Sequence, residues 1–226
     1  MRCIEEPSVT YYSSLRPEDL PPERPKHEHY SGFPEYELAN PGVGFRRFVA
    51  TMRRLQDLAV SADPSDEVWY AAADRAVALV ELLGPFATDE GKAPAGRVPD
   101  MPGMGSLLLP PWTLTRSGPD SVEMTGYFTR FHVGFNHAVH GGVLPLVFDH
   151  LFGMISYTAG RSISRTAFLH VDYRKITPID EPLVMRGRVT RTEGRKAFVS
   201  AELVDGDEML LAEGNGMMVR LLAGQP

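Results

Sequence analysis

The sequence predicts an α+β domain in which an antiparallel sheet of about six strands wraps one central helix, with a helical extension ahead of it. Three observations predict this. Residues 143–158 (VLPLVFDHLFGMISYT) form an apolar run long enough for a helix, and it is apolar nearly all round, so the helix should be buried. Short stretches on either side of it are strand candidates, one with clear apolar–polar alternation, separated by turn signals. The resulting order is two strands, one helix, four strands, and a single buried helix can be covered by one such sheet.

The chain before this domain divides into two parts. Residues 1–40 carry Pro7, Pro17, Pro21, Pro22, Pro25 and Pro34 among scattered charges and predict an extended or disordered arm, which Tyr11, Tyr12, Tyr30 and Tyr36 could anchor. Residues 41–100 predict a helical pair and a linker. In the first helix Phe45, Phe48, Val49, Met52, Leu55 and Ala59 recur at three-and-four spacing, with arginines opposite. The second follows the cap and acid signals of Asp63-Pro64-Ser65-Asp66-Glu67, carries Val68, Ala72, Val77, Val80 and Leu83, and stops at Gly84-Pro85. Residues 87–105, rich in Gly, Pro and Asp, read as linker.

The domain of residues 101–226 then runs as follows. Strands are predicted over 111–116 and 121–130, joined by the turn Ser117-Gly118-Pro119-Asp120. In the second, Val122, Met124, Gly126 and Phe128 alternate with polar residues. After the helix, strands are predicted over 166–175, 183–193, 196–204 and 209–221, with turns at Gly194-Arg195 and Asp205-Gly206. No internal repeat occurs.

Composition narrows the function. A formal net charge of -6 over 226 residues is a poor match to sequence-independent nucleic-acid binding or to an anionic membrane surface. The single cysteine, Cys3, has no partner for an internal disulfide. The first residues lack the apolar centre of a signal peptide, and no apolar run approaches membrane-spanning length. A cytoplasmic location is the default expectation. There is no Walker or dinucleotide glycine pattern and no Gly-x-Ser-x-Gly elbow.

The chemistry concentrates where His140-Gly141-Gly142 enters the central helix. The first amides of a helix have no intrahelical acceptor and sit at the positive end of its dipole, and glycines let a substrate approach the backbone, so Gly141 and Gly142 form a candidate oxyanion site. Pro145 fits a first helical turn. About two turns on, Asp149 interrupts the apolar sequence between Val147-Phe148 and Leu151-Phe152, a local cost that marks a candidate functional carboxylate.

His140-Gly141-Gly142 followed after six residues by Asp149 resembles the His-Gly-Gly-(x)6-Asp signature of hotdog-fold acyl-CoA thioesterases, most closely the phenylacetate-pathway, PaaI-type branch. Thr166-Ala-Phe-Leu-His-Val-Asp-Tyr173 is similar to that family's third strand, and the element order over about 106–221 agrees with the hotdog fold. The resemblance implies hydrolysis of an acyl-CoA or acyl-carrier thioester, with a role in fatty acid metabolism. Asp149 would be general base or nucleophile, Thr166 would position the water or the Asp, and His140 would orient the loop. It implies a homodimer or homotetramer, with Asp149 of one subunit facing the Gly141 and Gly142 amides of another. Coenzyme A is then part of the substrate, and no metal or redox cofactor is required. Asn136, Arg174 and Lys175 are candidate substrate contacts. Asn136 stands closer to the His-Gly-Gly than the family's asparagine, and Arg174-Lys175 replaces its frequent Arg-Pro. Residues 1 to about 100 are unexplained by the resemblance. The helical pair could cap the acyl tunnel or extend the dimer interface, and its apolar face favours a lid suited to medium or long acyl chains.

Other readings remain open from sequence. A hotdog hydratase or dehydratase would share the fold, and a non-catalytic acyl-CoA-binding module would be expected to lack Asp149. His132, His137, His140 and His150 cluster in sequence but without the helical spacing of a metal site. Arg46, Arg47, Arg53 and Arg54 read as a solvated stripe, with CoA phosphates as the alternative.

Overall fold

The structure is a computed structural model that describes residues 38–89, 91–160 and 164–222. The expected arm at 1–40, with Tyr11, Tyr12, Tyr30 and Tyr36, lies almost wholly outside the described residues. Two helices, α1 (Val43–Ala59) and α2 (Asp66–Leu83), precede strands β1 (Thr113–Ser117) and β2 (Ser121–Gly126). A small hairpin follows, β3 (Val133–Phe135) and β4 (Ala138–Val139), and then the central helix α3 (Val143–Thr158). Strands β5 (Ser164–Tyr173), β6 (Leu183–Glu193), β7 (Lys196–Val204) and β8 (Leu210–Arg220) complete the domain. Six strands form one antiparallel sheet in the order β1-β2-β6-β7-β8-β5. This is the hotdog arrangement, a sheet wrapped on a single helix.

The core lies between α3 and one face of the sheet. Leu144, Val147, Phe148, Leu151, Phe152 and Ile155 point from the helix onto Val122, Met124, Leu183, Met185, Val199 and Met218. Alternation along β7 makes the pattern plain: Ala197, Val199, Ala201 and Leu203 are buried while the residues between them face outward. Helix and sheet approach closely because β8 carries glycine beneath the two largest helix side chains. A Cβ on Gly214 would stand 2.5 Å from the Phe148 ring, and one on Gly216 would stand 2.6 Å from Phe152. A methyl group has no room in so dense an interior. Gly214→Ala is therefore expected to destabilise by about 1–3 kcal/mol, a fall in Tm of roughly 4–10 °C in a thermal melt. An unchanged Tm would show that α3 does not press on β8 as described.

The expected strand at 121–130 ends at Gly126. Beyond it the chain turns through Phe128 into a 3-10 turn at Arg130–His132, closed by a capping box between Thr129 and His132. The β3–β4 hairpin has no counterpart among the expected elements. Asn136 and His137, at φ 51° and 57°, make its two-residue turn, a conformation that asparagine tolerates better than most residues.

The helical extension departs further from expectation. Arg53, expected on a solvated face, is half-buried and donates to the carbonyls of Leu109 at 2.9 Å, Pro102 at 3.1 Å and Ser106 at 2.7 Å. Leu55 and Ala59, expected on the packed face, are exposed. The periodic apolar set is thus rotated: α1 packs through Phe45, Phe48 and Val49 against Val98, Met101 and Leu107. The segment expected as linker is ordered by that small core and by turns, including Met101, Met104 and Val98 backbone bonds. α2 buries none of its residues and packs mainly on the turn that follows it, leaving Tyr70, Val80 and Leu82 more than 60% exposed.

Candidate active site

Two groups of residues stand at different places on α3. The first is the entry to the helix. The peptide joining Gly141 to Gly142 is held at both ends: its carbonyl accepts from the Tyr173 hydroxyl at 2.7 Å, and its N–H donates to His140 Nδ1 at 3.0 Å. The preceding peptide is fixed through its carbonyl, since His140 O accepts the Val143 N–H at 2.9 Å. Its N–H, that of Gly141, has no partner among the described residues. Both glycines are exposed. The structure thus separates the two amides: Gly141 presents a free donor, whereas Gly142 is occupied by a histidine ring. The Gly142 bond also fixes the tautomer, because an accepting Nδ1 places the His140 proton on Nε2.

The second group is the carboxylate. Thr166 Oγ1, on β5, donates to Asp149 Oδ1 at 2.6 Å. Thr166 thereby positions the acid, one of the two roles expected for it. Asp149 itself is exposed, not buried as the apolar sequence around it suggested. The reason is helical phase. Leu144, Val147, Phe148, Leu151, Phe152 and Ile155 take the core side, while Asp149, Gly153 and Tyr157 fall on the opposite side. No lysine or arginine pairs with Asp149 among the described residues. The neighbouring His150 is different: burial pushes its pKa below the ordinary histidine value, against the pull of Asp149, and its Nε2 has no partner among the described residues.

Asn136 occupies the tip of the β3–β4 hairpin, four residues before His140. Arg174 and Lys175 follow Tyr173 beyond the end of β5 and both backbone N–H groups bond Leu211 O. Arg174 is engaged by Glu213 at 2.6 Å, which raises its pKa, and stands 3.9 Å from Asp172. Lys175 is exposed, with its Nζ 2.8 Å from Met209 Sδ and no carboxylate partner among the described residues. Asn136, His140, Gly141, Gly142, Arg174 and Lys175 therefore lie toward one end, with Asp149 and Thr166 about two helical turns away. Tyr173 is a site residue that the sequence reading does not single out. An aromatic with a polar tip closing a strand that begins near Thr166 is the available signal.

A cavity of about 440 Å³ lies elsewhere, on the sheet face turned away from α3, lined by Arg116, Glu123, Arg186, Arg188, Ser200 and Glu202. Its charges are largely paired: Arg186 bonds Glu123 at 2.9 Å and Glu208 through both terminal nitrogens. It has no place in the Asp149 chemistry. No cluster of three or more histidine, cysteine, aspartate or glutamate side chains able to hold a metal occurs among the described residues. No helix among them is long and apolar enough to cross a membrane.

Fold and signature together define a hotdog domain with a helix-borne carboxylate. Residues 136–212, about a third of the chain, match the thioesterase superfamily family model. Acyl-coenzyme A thioesterase THEM4 of Rattus norvegicus is 33% identical over 89 residues, and that of Mus musculus is 30% identical over 89 residues. The rat match takes in 39% of this chain and 38% of the relative, so the chain spans well under half the length of the curated relatives it matches. A crystallised thioesterase superfamily protein superposes on 80% of this chain and 98% of its own, with a TM-score of 0.70 and 25% identity. Residues 136–212 are thus similar to the thioesterase superfamily.

Proposed function

We propose that this protein hydrolyses acyl-CoA thioesters, and that its working unit is a homodimer in which Asp149 and Thr166 of one copy face the Gly141 amide of the other. The observation that carries this reading is Asp149 standing exposed on α3, held by Thr166 of β5, while the open Gly141 N–H lies two turns away. For the route in which the carboxylate attacks directly, a carbonyl held by that N–H spans roughly 7 Å. The separation along one helix is on the order of 10 Å. Nor does a single chain enclose the acid, and a second copy laid along α3 supplies both the missing wall and the missing donor. Gly153 supports close approach of such a helix, since a Cβ there would meet no atom within 4 Å. Strand β5 stands at one edge of the sheet, with no further strand beside it among the described residues.

In the groove so formed, the thioester carbonyl oxygen accepts from Gly141 N–H. Asp149 takes a proton from water, whose oxygen bonds the carbonyl carbon. The tetrahedral oxyanion collapses, the C–S bond breaks, and the thiolate leaves and takes up a proton. The same geometry allows Asp149 to attack the carbon itself, giving a mixed anhydride that water then cleaves. Neither route needs a metal or redox cofactor. The His140 ring, bonded to Gly142, holds the donor loop. Lys175 is the freer phosphate contact for coenzyme A, with Arg174 already held by Glu213 and Asn136 at the hairpin tip as a further polar contact. The exposed apolar surface of α2 suits it to cover the acyl end of the groove, which favours medium or long chains. The His-Gly-Gly-(x)6-Asp spacing supports assignment to the PaaI-type branch.

The test is free-thiol release over a panel of acyl-CoAs of different chain length. Turnover by the wild type that disappears in Asp149→Asn is expected. Tight acyl-CoA binding with no thiol released by the wild type would replace hydrolysis with a binding role.

A further inference from the structure

We propose that α1 belongs to the catalytic apparatus, with Asp57 and His132 as positioning residues that hold the loop carrying the Gly141 donor; this rests on the hydrolase reading above. The support is an unbroken line of contacts. Arg53 fixes α1 to the body through its three carbonyl bonds to Leu109, Pro102 and Ser106. One turn further along the same helix, Asp57 Oδ1 accepts the backbone N–H of Phe131 at 3.0 Å. A carboxylate accepting an amide gives a stronger bond than a neutral acceptor. This bond joins residues 74 apart in sequence, so it ties the extension to the hotdog domain and is no local turn contact.

Phe131 lies in the Arg130–His132 turn. His132 is buried there, its ring set edge-on to Phe128 at 5.9 Å and Phe131 at 5.7 Å. Its Nδ1 accepts the Thr129 N–H at 2.9 Å, and burial pushes its pKa below the ordinary histidine value. Its backbone carbonyl accepts the His140 N–H at 2.8 Å. The next amide in the chain is that of Gly141. Packing reinforces the line, because a Cβ on Gly134 would meet His140 Cα at 2.8 Å, so β3 lies directly against the loop.

A glycine-rich loop has few side chains to fix it, yet an oxyanion donor works only when it is already in place. Misplacement by about 1 Å can cost up to a hundredfold in rate. α1 supplies the rigidity from outside the hotdog sheet. Neither Asp57 nor His132 touches substrate, so their removal changes kcat and leaves KM nearly alone.

The experiment compares the full-length wild type with Asp57→Ala and Asp57→Asn, by thiol release and by amide hydrogen exchange over residues 130–142. Asp57→Ala is expected to lower kcat by roughly tenfold with KM changed by less than about twofold, and to speed exchange in that segment. Asp57→Asn, which keeps an acceptor oxygen, is expected to recover most of both. Should Asp57→Ala fail to fold, Asp57→Glu replaces it, because one added methylene displaces the acceptor while keeping the charge. Wild-type kcat and exchange in a folded Asp57→Ala or Asp57→Glu would overturn the proposal. A wild type without thioesterase activity would instead sink the hydrolase reading, and the exchange data would still decide whether Asp57 holds the loop.

Discussion

Asp149→Asn is expected to lower kcat for acyl-CoA hydrolysis by about three orders of magnitude, within the range that loss of a general base produces. The substitution is nearly isosteric. Thr166 Oγ1, which donates to Asp149 Oδ1 at 2.6 Å, can donate equally to an asparagine carbonyl. The residue is exposed on α3, so its replacement costs little stability, and an intact melting curve would accompany the lost activity. KM should stay within a few fold, because the amide neither adds bulk nor removes a substrate contact. Retention of more than a tenth of wild-type kcat would assign the base or nucleophile to another group, and no other carboxylate stands beside Thr166 in the described residues.

Gly141→Pro is expected to lower kcat by about 10²–10³. Proline deletes the exposed Gly141 N–H, which has no partner among the described residues, and leaves the chain's carbonyl in place. Gly141 is not among the residues with positive φ, so proline's fixed φ is not excluded there. Gly142 does not substitute for it, because its N–H already donates to His140 Nδ1 at 3.0 Å. The loss should appear in kcat, since an oxyanion donor binds the transition state more strongly than the ground state. Equal kcat with raised KM would mean that this amide binds the ground state and the transition state alike.

Much of the fold is legible in the sequence because its signals are strong and local. The helix expected at 143–158 and the strands expected at 183–193 and 196–204 end where α3, β6 and β7 end. Each is a long stretch with apolar positions matched to its period and turn residues at its limits. The β3–β4 hairpin escapes because strands of three and two residues have no period to detect. α1 is legible as a helix but not in its rotation: Arg53 is drawn inward by three loop carbonyls that no sequence pattern reveals. The ordering of residues 97–107 escapes for the same reason, with Val98, Met101 and Leu107 scattered among glycines and prolines.

At the site, the residue types are legible and their surroundings are not. The apolar neighbours of Asp149 predict burial, yet apolarity on the outer face of α3 has a different cause from that of the core. In the proposed dimer that outer face meets a second copy. Thr166, near the start of β5, bonds Asp149 across 17 residues. Tyr173 reaches the Gly141 carbonyl from 32 residues away and Asp57 reaches the Phe131 amide from 74, each through a single hydrogen bond, distances over which sequence spacing carries no signal.

A mixing experiment tests the shared site most directly. Asp149→Asn and Gly141→Pro are each expected to be nearly inactive alone. Combined in equal amounts and allowed to exchange subunits, half of the dimers pair unlike chains. Each such pair holds one site with both an aspartate and a free amide, so activity should recover to about a quarter of wild type. Recovery near that level is the predicted result; a mixture no more active than its two components, with subunit exchange confirmed, would place the acid and the amide in one chain and contradict the shared site.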